Sequence, residues 1–386
     1  MSLSLFWDRD GKSAELPPYP DSFQHWQAGE PLDDSTRAIL EEIEQALSLK
    51  ITQTDLRSAN NNLVLEIELE NGRRNIARTC NPDPEVSARD TAATTRPARE
   101  AELLRWLKAN ATIPVPEIRC VIEPTRPGIW PIVVMEKMPG NVVLNDFGKA
   151  PYSVKLRNMH AFADLQIALF RLNVPQRIGT ARCAGGTINV VPWCASEPNI
   201  DTLEGYIASL LDKKRRTLAS ETDPSEDAKA NATRTLNRIA AELSSICSRL
   251  TSPAHRRCVL RHDDLGATNV LMGPDGDITG VVDWDFQSVV PAVLAVEYPQ
   301  WIRYDGTFSP KYMAAPAGGM EVWWFVSPQD AARLREEYAK ILQEKDRECW
   351  DALVDGERLR QLVEWLFSGD DYAAMEGWLD KVYTQA

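Results

Sequence analysis

Asp264, Asn269 and Asp283 stand in two short apolar runs joined by a turn, reading LRHDDLGATNVLM over 260–272, GPDGD over 273–277 and ITGVVDWD over 278–285. Pro-Asp-Gly is turn chemistry, so the segment predicts a hairpin. With the turn centred near Gly276, Asn269 and Asp283 fall opposite each other, where directly opposed side chains lie about 5 Å apart at Cβ. An amide oxygen and a carboxylate at that separation can share a hard cation. Mg²⁺ takes few protein oxygens and completes its shell with phosphate and water, which matches such a pair. Asp264, five residues before Asn269, sits on the loop leading into the first strand, where a carboxylate can accept the proton of an attacking hydroxyl. This combination is what phosphoryl transfer needs from a protein: positioned groups and neutralised charge. Any one of these residues alone would be an ordinary turn acid or amide. His262 is expected to hold the loop through backbone hydrogen bonds and is given no chemical step.

The elements that must present a nucleotide to this hairpin lie upstream. Leu63, Leu65, Ile67 and Leu69 alternate with Glu66, Glu68 and Glu70, the period of a half-buried strand. Asn71-Gly72 then turns the chain back through a second strand over 73–79. A helix is predicted from Pro97 to about Ala109, Pro being favoured in a first turn. On it Glu100 shares a face with Leu103, Leu104 and Leu107. A buried carboxylate requires a cation, and Arg78 on the return strand is the natural one, poised to meet the phosphates of ATP. Ser58, Asn60 and Asn61 mark the expected loop over those phosphates. Glu136 and Met138, just after the apolar run 131–135, mark the expected hinge beside the adenine.

Read end to end, the chain divides into an N-terminal arm and lead-in helix (1–49), a small nucleotide-binding lobe (50–138) and a large, mainly helical catalytic and substrate-binding lobe (139–386). Residues 1–32, rich in Pro and aromatics, read as an irregular surface arm. Ile39, Leu40, Ile43 and Leu47 predict a helix, and 150–250 and 328–386 read as helical.

The 386 residues carry a formal charge of −13. That balance argues against nucleic acid as a partner and favours, weakly, a cationic acceptor. Seven scattered cysteines without a C-x-x-C spacing signal neither zinc nor a disulfide framework. The opening residues lack a basic-then-apolar leader pattern and no apolar run reaches the length of a membrane span, so the expectation is a cytoplasmic protein with no membrane partner.

With these residues in place, the chain resembles the aminoglycoside phosphotransferase / choline kinase-like family, and within it fungal members of unassigned substrate. The resemblance rests on LRHDDLGATNVLM, GVVDWDFQSVVPAVLAVEYPQWI, EAELLRWLKANATIPVPEI and VVMEKMPG, in order between about 50 and 305. It implies a bilobal α+β, protein-kinase-like fold, with Asp264 as base, Asn269 and Asp283 as Mg²⁺ ligands and Glu100 as partner of the strand cation. The implied activity is ATP- and Mg²⁺-dependent transfer to a small-molecule hydroxyl. Three departures stand out: Asp263 replaces a more usual Gly, Arg78 a more usual Lys, and the phosphate loop has no glycine. The alternative they keep open is a weakly active or inactive nucleotide-binding pseudokinase with a scaffold role. Trp301, Trp323, Trp324, Trp365 and Trp378 are either acceptor-pocket walls, able to meet a cation through their ring faces, or core.

Overall fold

The computed structural model describes residues 3–8, 11–16, 24–27, 32–59, 62–81, 93–193, 198–220, 226–303 and 324–383. The fold is α+β and bilobal. A hairpin of β1 (Ser4–Trp7) and β2 (Ser13–Leu16) precedes the small lobe, a six-stranded antiparallel sheet in the order β3-β4-β5-β6-β8-β7. Its strands are β3 (Gln24–Gln27), β4 (Ile51–Ala59), β5 (Asn62–Leu69), β6 (Arg74–Cys80), β7 (Ile118–Ile122) and β8 (Ile132–Glu136).

Alternation along β5 decides what each face of this sheet does. Leu63, Leu65, Ile67 and Leu69 form a core with Ile39, Leu40 and Ile43 of helix α1 (Asp34–Leu47). That helix starts where Asp33 accepts the Thr36 amide at 2.8 Å, a side-chain cap. Val64 and Glu66 point the other way, into the cleft between the lobes. Helix α2 (Arg96–Asn110) lies against that second face and buries Glu100 along with Ala101, Leu103, Leu104 and Leu107.

The large lobe gathers α3 (Tyr152–Arg171), α4 (Leu203–Ser220), α5 (Glu226–Ser248), α6 (Pro328–Lys345), α7 (Arg347–Ser368) and α8 (Tyr372–Tyr383) around a small β framework. In that framework β12 (Cys258–His262) pairs with β15 (Gln287–Pro291), while β13 (Val270–Met272) pairs with β14 (Ile278–Val281) and β9 (Asn141–Val142). Trp301, Trp365 and Trp378 are almost wholly buried and Trp324 nearly so, which makes them core rather than pocket walls; Trp323 lies outside the described residues. No helix among the described residues is long and apolar enough to cross a membrane.

Two stretches depart from the periodicity reading. Within 1–32, β1 (Ser4–Trp7) and β2 (Ser13–Leu16) form a hairpin that buries Phe6, and Trp7 exchanges two backbone hydrogen bonds of 2.8 Å with Trp324. Strand β3 joins the edge of the small-lobe sheet. Four-residue strands are too short to show a period, and the partners of β3 and of Trp7 lie further along the chain. Within 150–250, β10 (Thr180–Ala184) and β11 (Thr187–Val191) form a hairpin whose Gly185-Gly186 turn has φ of 55° and 76°. That dipeptide is a hairpin signal in its own right.

The β13–β14 turn is pinned from below by α3. Gly276 has φ of 95°, and a Cβ there would sit 2.4 Å from the Val154 carbonyl oxygen. Asn158 donates to the Gly276 carbonyl at 3.1 Å, and Arg157 pairs with Asp277 at 2.8 Å. Gly276→Ala is therefore expected to lose at least about 1–3 kcal/mol from backbone strain alone, read as a lower denaturant midpoint, whereas Asp275→Ala on the same turn should stay within about 0.5 kcal/mol.

Candidate active site

Strand β12 delivers the chain to the loop 263–269, and His262 holds that loop at both ring nitrogens. Nε2 donates to the Val282 carbonyl at 3.0 Å, and Nδ1 accepts the Asp264 amide at 3.1 Å. Burial pushes the His262 pKa down, so the ring stays neutral against Trp284, 4.7 Å away between centroids. Asp264 itself is exposed to the cleft. The Asn269 side-chain amide donates at 2.9 Å to both the backbone carbonyl and Oδ2 of Asp264. This bond fixes both residues and leaves the Asn269 Oδ1 without a protein partner among the described residues.

The register differs by one residue from the simple hairpin. A bulge between Leu271 and Met272 pairs Val270 with Val281, and the Val282 amide donates to the Asn269 carbonyl at 3.0 Å. Asn269 is thus opposite Val282, not Asp283. A slip of one residue would normally turn a side chain to the other face. Asp283 leaves the strand with φ of 63°, a left-handed conformation, and still lines the cleft beside Asn269.

Arg78, on β6, lies at the centre of three carboxylates. One terminal nitrogen is 2.9 Å from Glu100, and the other is 2.8 Å from Asp283 and 2.6 Å from Asp285. The Arg78, Glu100 and Asp285 side chains are only 8%, 1% and 1% exposed, against 40% for Asp283. Glu100 also accepts the Trp284 amide at 2.8 Å, and Asp285 accepts the Asn62 side chain at 2.7 Å. Burial opposes charge on Arg78, but Glu100, Asp285 and Asp283 outweigh it and raise its pKa. Burial, offset in part by Arg78, pushes Glu100 up to about 8, and the two aspartates add to that rise.

These groups line one cleft of about 580 Å³ between the lobes, within the ~300–1,000 Å³ range of ligand pockets. Val64, Ile76, Met135 and Leu271 give it apolar lining from both lobes. Glu136 and Met138 lie on its wall after β8, and Ser58 lies on it from within β4 rather than from a loop. Asn60 and Asn61 lie outside the described residues. Sequence reasoning passed over Asp285, although the D-W-D spacing was a signal that it shares a side with Asp283, and it read Asn62 only as the end of the expected phosphate loop. It also missed Glu66, which is buried at the cleft wall between Arg57 and Lys137, the latter at 2.5 Å.

Residues 52–293 match the model of a family described as "Phosphotransferase enzyme family". The chain belongs to this family. A relative in Ampulloclitocybe clavipes, "Clavilactone A biosynthesis cluster protein Y", is 36% identical over 391 residues, covering 97% of this chain and 94% of its own. Among solved structures, a gentamicin complex of APH(2")-IIa is similar in fold, with a TM-score of 0.52 at 12% identity over 91% of this chain and 96% of that one. The aminoglycoside phosphotransferase APH(4)-Ia gives 0.49 at 14% identity, over 90% and 97%.

Two of the family departures have a physical account here. Asp263 adds no free charge beside Asp264: its carboxylate receives Arg261 at 2.8 Å and the Ser288 hydroxyl at 2.6 Å. Arg78 uses its fork to span three carboxylates from two segments, α2 and the D-W-D turn, which a compact ammonium does less well. The donor set suits a hard cation held partly by phosphate, since one amide oxygen and one carboxylate oxygen at the cleft are left without protein partners among the described residues.

The raised Glu100 pKa makes stability depend on pH. From pH 4.5 up to about 8 the folded protein keeps a proton on this group that the unfolded chain has released. Its contribution to stability is therefore present at low pH and lost as pH rises. Glu100→Gln should remove that dependence: the wild type minus variant difference in denaturation midpoint should fall from about pH 5 to about pH 8. A difference that is flat or rises would contradict the assignment.

Proposed function

We propose that the chain transfers the γ-phosphoryl group of ATP to a hydroxyl of a small molecule, with Mg²⁺. The supporting observation is the convergence, in one cleft, of Arg78 paired with Glu100, Asn269 bonded to Asp264, and Asp283 beside both. Residues 50–138 serve as the nucleotide lobe, with β3 extending its sheet from the arm, and 139–386 as the catalytic and substrate lobe.

Asn269 Oδ1 and Asp283 would hold the metal, whose chemistry when bound is to neutralise phosphate charge. Arg78, held in place by Glu100 and Asp285, faces the phosphates. Asp264 accepts the proton of the acceptor hydroxyl as the new P–O bond forms and the ADP oxygen leaves, and Asn269 orients its carboxylate. Glu136 and Met138 border the base of the nucleotide, and Ser58 lies over its phosphate end.

A second cavity, about 230 Å³, opens on the Asp263 side of the catalytic loop, and we assign the acceptor to it. Its arginines are engaged: Arg303 pairs with Glu364 at 3.1 Å and Arg335 with Glu357 at 2.8 Å, and Arg360 donates to the Val293, Ala352 and Leu353 carbonyls. Walls balanced in this way support a polar, hydroxylated acceptor. Among the described residues they give a purely cationic one no spare carboxylate. The relative's place in a biosynthesis cluster fits a small-molecule acceptor of that kind.

Thermal unfolding with ATP tests this reading. At about 100 times its dissociation constant ATP should stabilise the wild type by about 2.7 kcal/mol, in a Mg²⁺-dependent way. Asp283→Ala should lose that gain. Asp264→Asn should keep it while turnover of a hydroxylated acceptor drops about 10²–10⁴-fold. A wild type with no ATP shift at saturation would overturn the kinase reading and leave a scaffold role in its place.

A further inference from the structure

Asp283 is the carboxylate expected to receive the metal, yet it already has a cation. The Arg78 nitrogen that lies 2.8 Å from it also lies 2.6 Å from Asp285, while the other terminal nitrogen is 2.9 Å from Glu100. The three contacts are not equivalent. Glu100 and Asp285 are buried to 1% exposure, and Asp285 Oδ1 has no hydrogen-bond partner among the described residues. Buried carboxylates deprived of their cation carry a heavy desolvation penalty, so Arg78 is held in place by those two. Asp283 is 40% exposed and can exchange Arg78 for another cation at little cost.

We propose that Arg78 is a resident counter-cation that keeps a bare divalent metal off Asp283, so that metal joins the site together with nucleotide. This rests on the nucleotide-binding reading above. Arriving phosphate oxygens compete for the guanidinium, Asp283 turns from Arg78 to the metal, and the two charges exchange partners within the cleft. Coupling of this kind is reciprocal: nucleotide raises metal affinity by the factor by which metal raises nucleotide affinity. An arginine is needed for the device. Its planar fork reaches carboxylates from α2 and from both positions of the D-W-D turn at once, whereas a lysine ammonium concentrates its charge at one point.

The experiment is a titration of Mn²⁺ alone, followed by electron paramagnetic resonance of the free ion, on wild type, Arg78→Lys and Arg78→Gln. Both variants should bind Mn²⁺ at least about tenfold more tightly than the wild type, a difference of about 1.4 kcal/mol, and the gain should vanish when Asp283→Asn is added. Should Arg78→Gln fold poorly, its three uncompensated carboxylates make a second readout. Mn²⁺ alone should then raise its melting temperature by more than it raises that of the wild type. Equal Mn²⁺ affinity in wild type and variants, or equal thermal response, overturns the proposal while leaving ATP binding intact. A wild type without an ATP shift removes the nucleotide half of the idea, and tighter Mn²⁺ binding by the variants still upholds the Arg78 contact as what excludes bare metal.

Discussion

Arg78 is sunk between the small-lobe sheet and the catalytic hairpin, where its guanidinium meets Glu100 of α2 and Asp283 and Asp285 of the turn after β14. Removing the cation would leave two nearly unexposed carboxylates uncompensated, and breaking a buried pair of this type costs about 3–5 kcal/mol. The constraint therefore fixes three separate elements against one another. The D-W-D turn is tied a second time, because Glu100 takes the Trp284 amide and Asn62 reaches Asp285 from the start of β5. The two lobes meet through charge and hydrogen bonds at this point, and the cleft they enclose is the space left around it.

The rest of the site hangs from that frame by shorter links. Trp284, wholly buried, carries His262 against its ring, and His262 in turn holds the Val282 carbonyl and the Asp264 amide. Asp264 then receives the Asn269 amide. A chain of contacts runs from the helix carboxylate through the indole and imidazole to the exposed acid, so that a residue open to solvent is positioned by groups that are not. This division suits a proton acceptor, which has to meet a mobile hydroxyl from a fixed place. On the other side of the loop, Arg261 and Ser288 engage Asp263 and keep the two neighbouring acids in separate surroundings.

Much of this was legible in the residues. The alternation in β5, the Asn-Gly turn after it, the helix opening at Pro97 and the spacing of Asp264 from Asn269 all rest on contacts within a few positions along the chain, and such contacts leave a period or a turn signature. The nearness of Arg78 to Glu100 was also readable, because a carboxylate on an apolar helix stripe has to find a cation and the adjacent strand offered one. The tryptophans were ambiguous from sequence. Core and pocket wall ask for the same apolar surface, and only burial separates them.

What the sequence determined by itself, then, was the set of local elements and the chemical identity of the three cleft residues Asp264, Asn269 and Asp283. Tertiary structure alone decided the remainder. Asn62 and Asp285 are 223 positions apart, and Arg78 and Asp283 are 205 apart; no periodic pattern reaches across such distances. The bulge that sets Asn269 opposite Val282 and the left-handed turn that returns Asp283 to the cleft have no sequence signal comparable to glycine. Strand β3, four residues long, acquires its partner only when the small-lobe sheet exists to receive it. In each case the physical reason is the same: a contact between remote segments is specified by the shape and charge of the surfaces that meet, and those surfaces do not exist until the chain has folded.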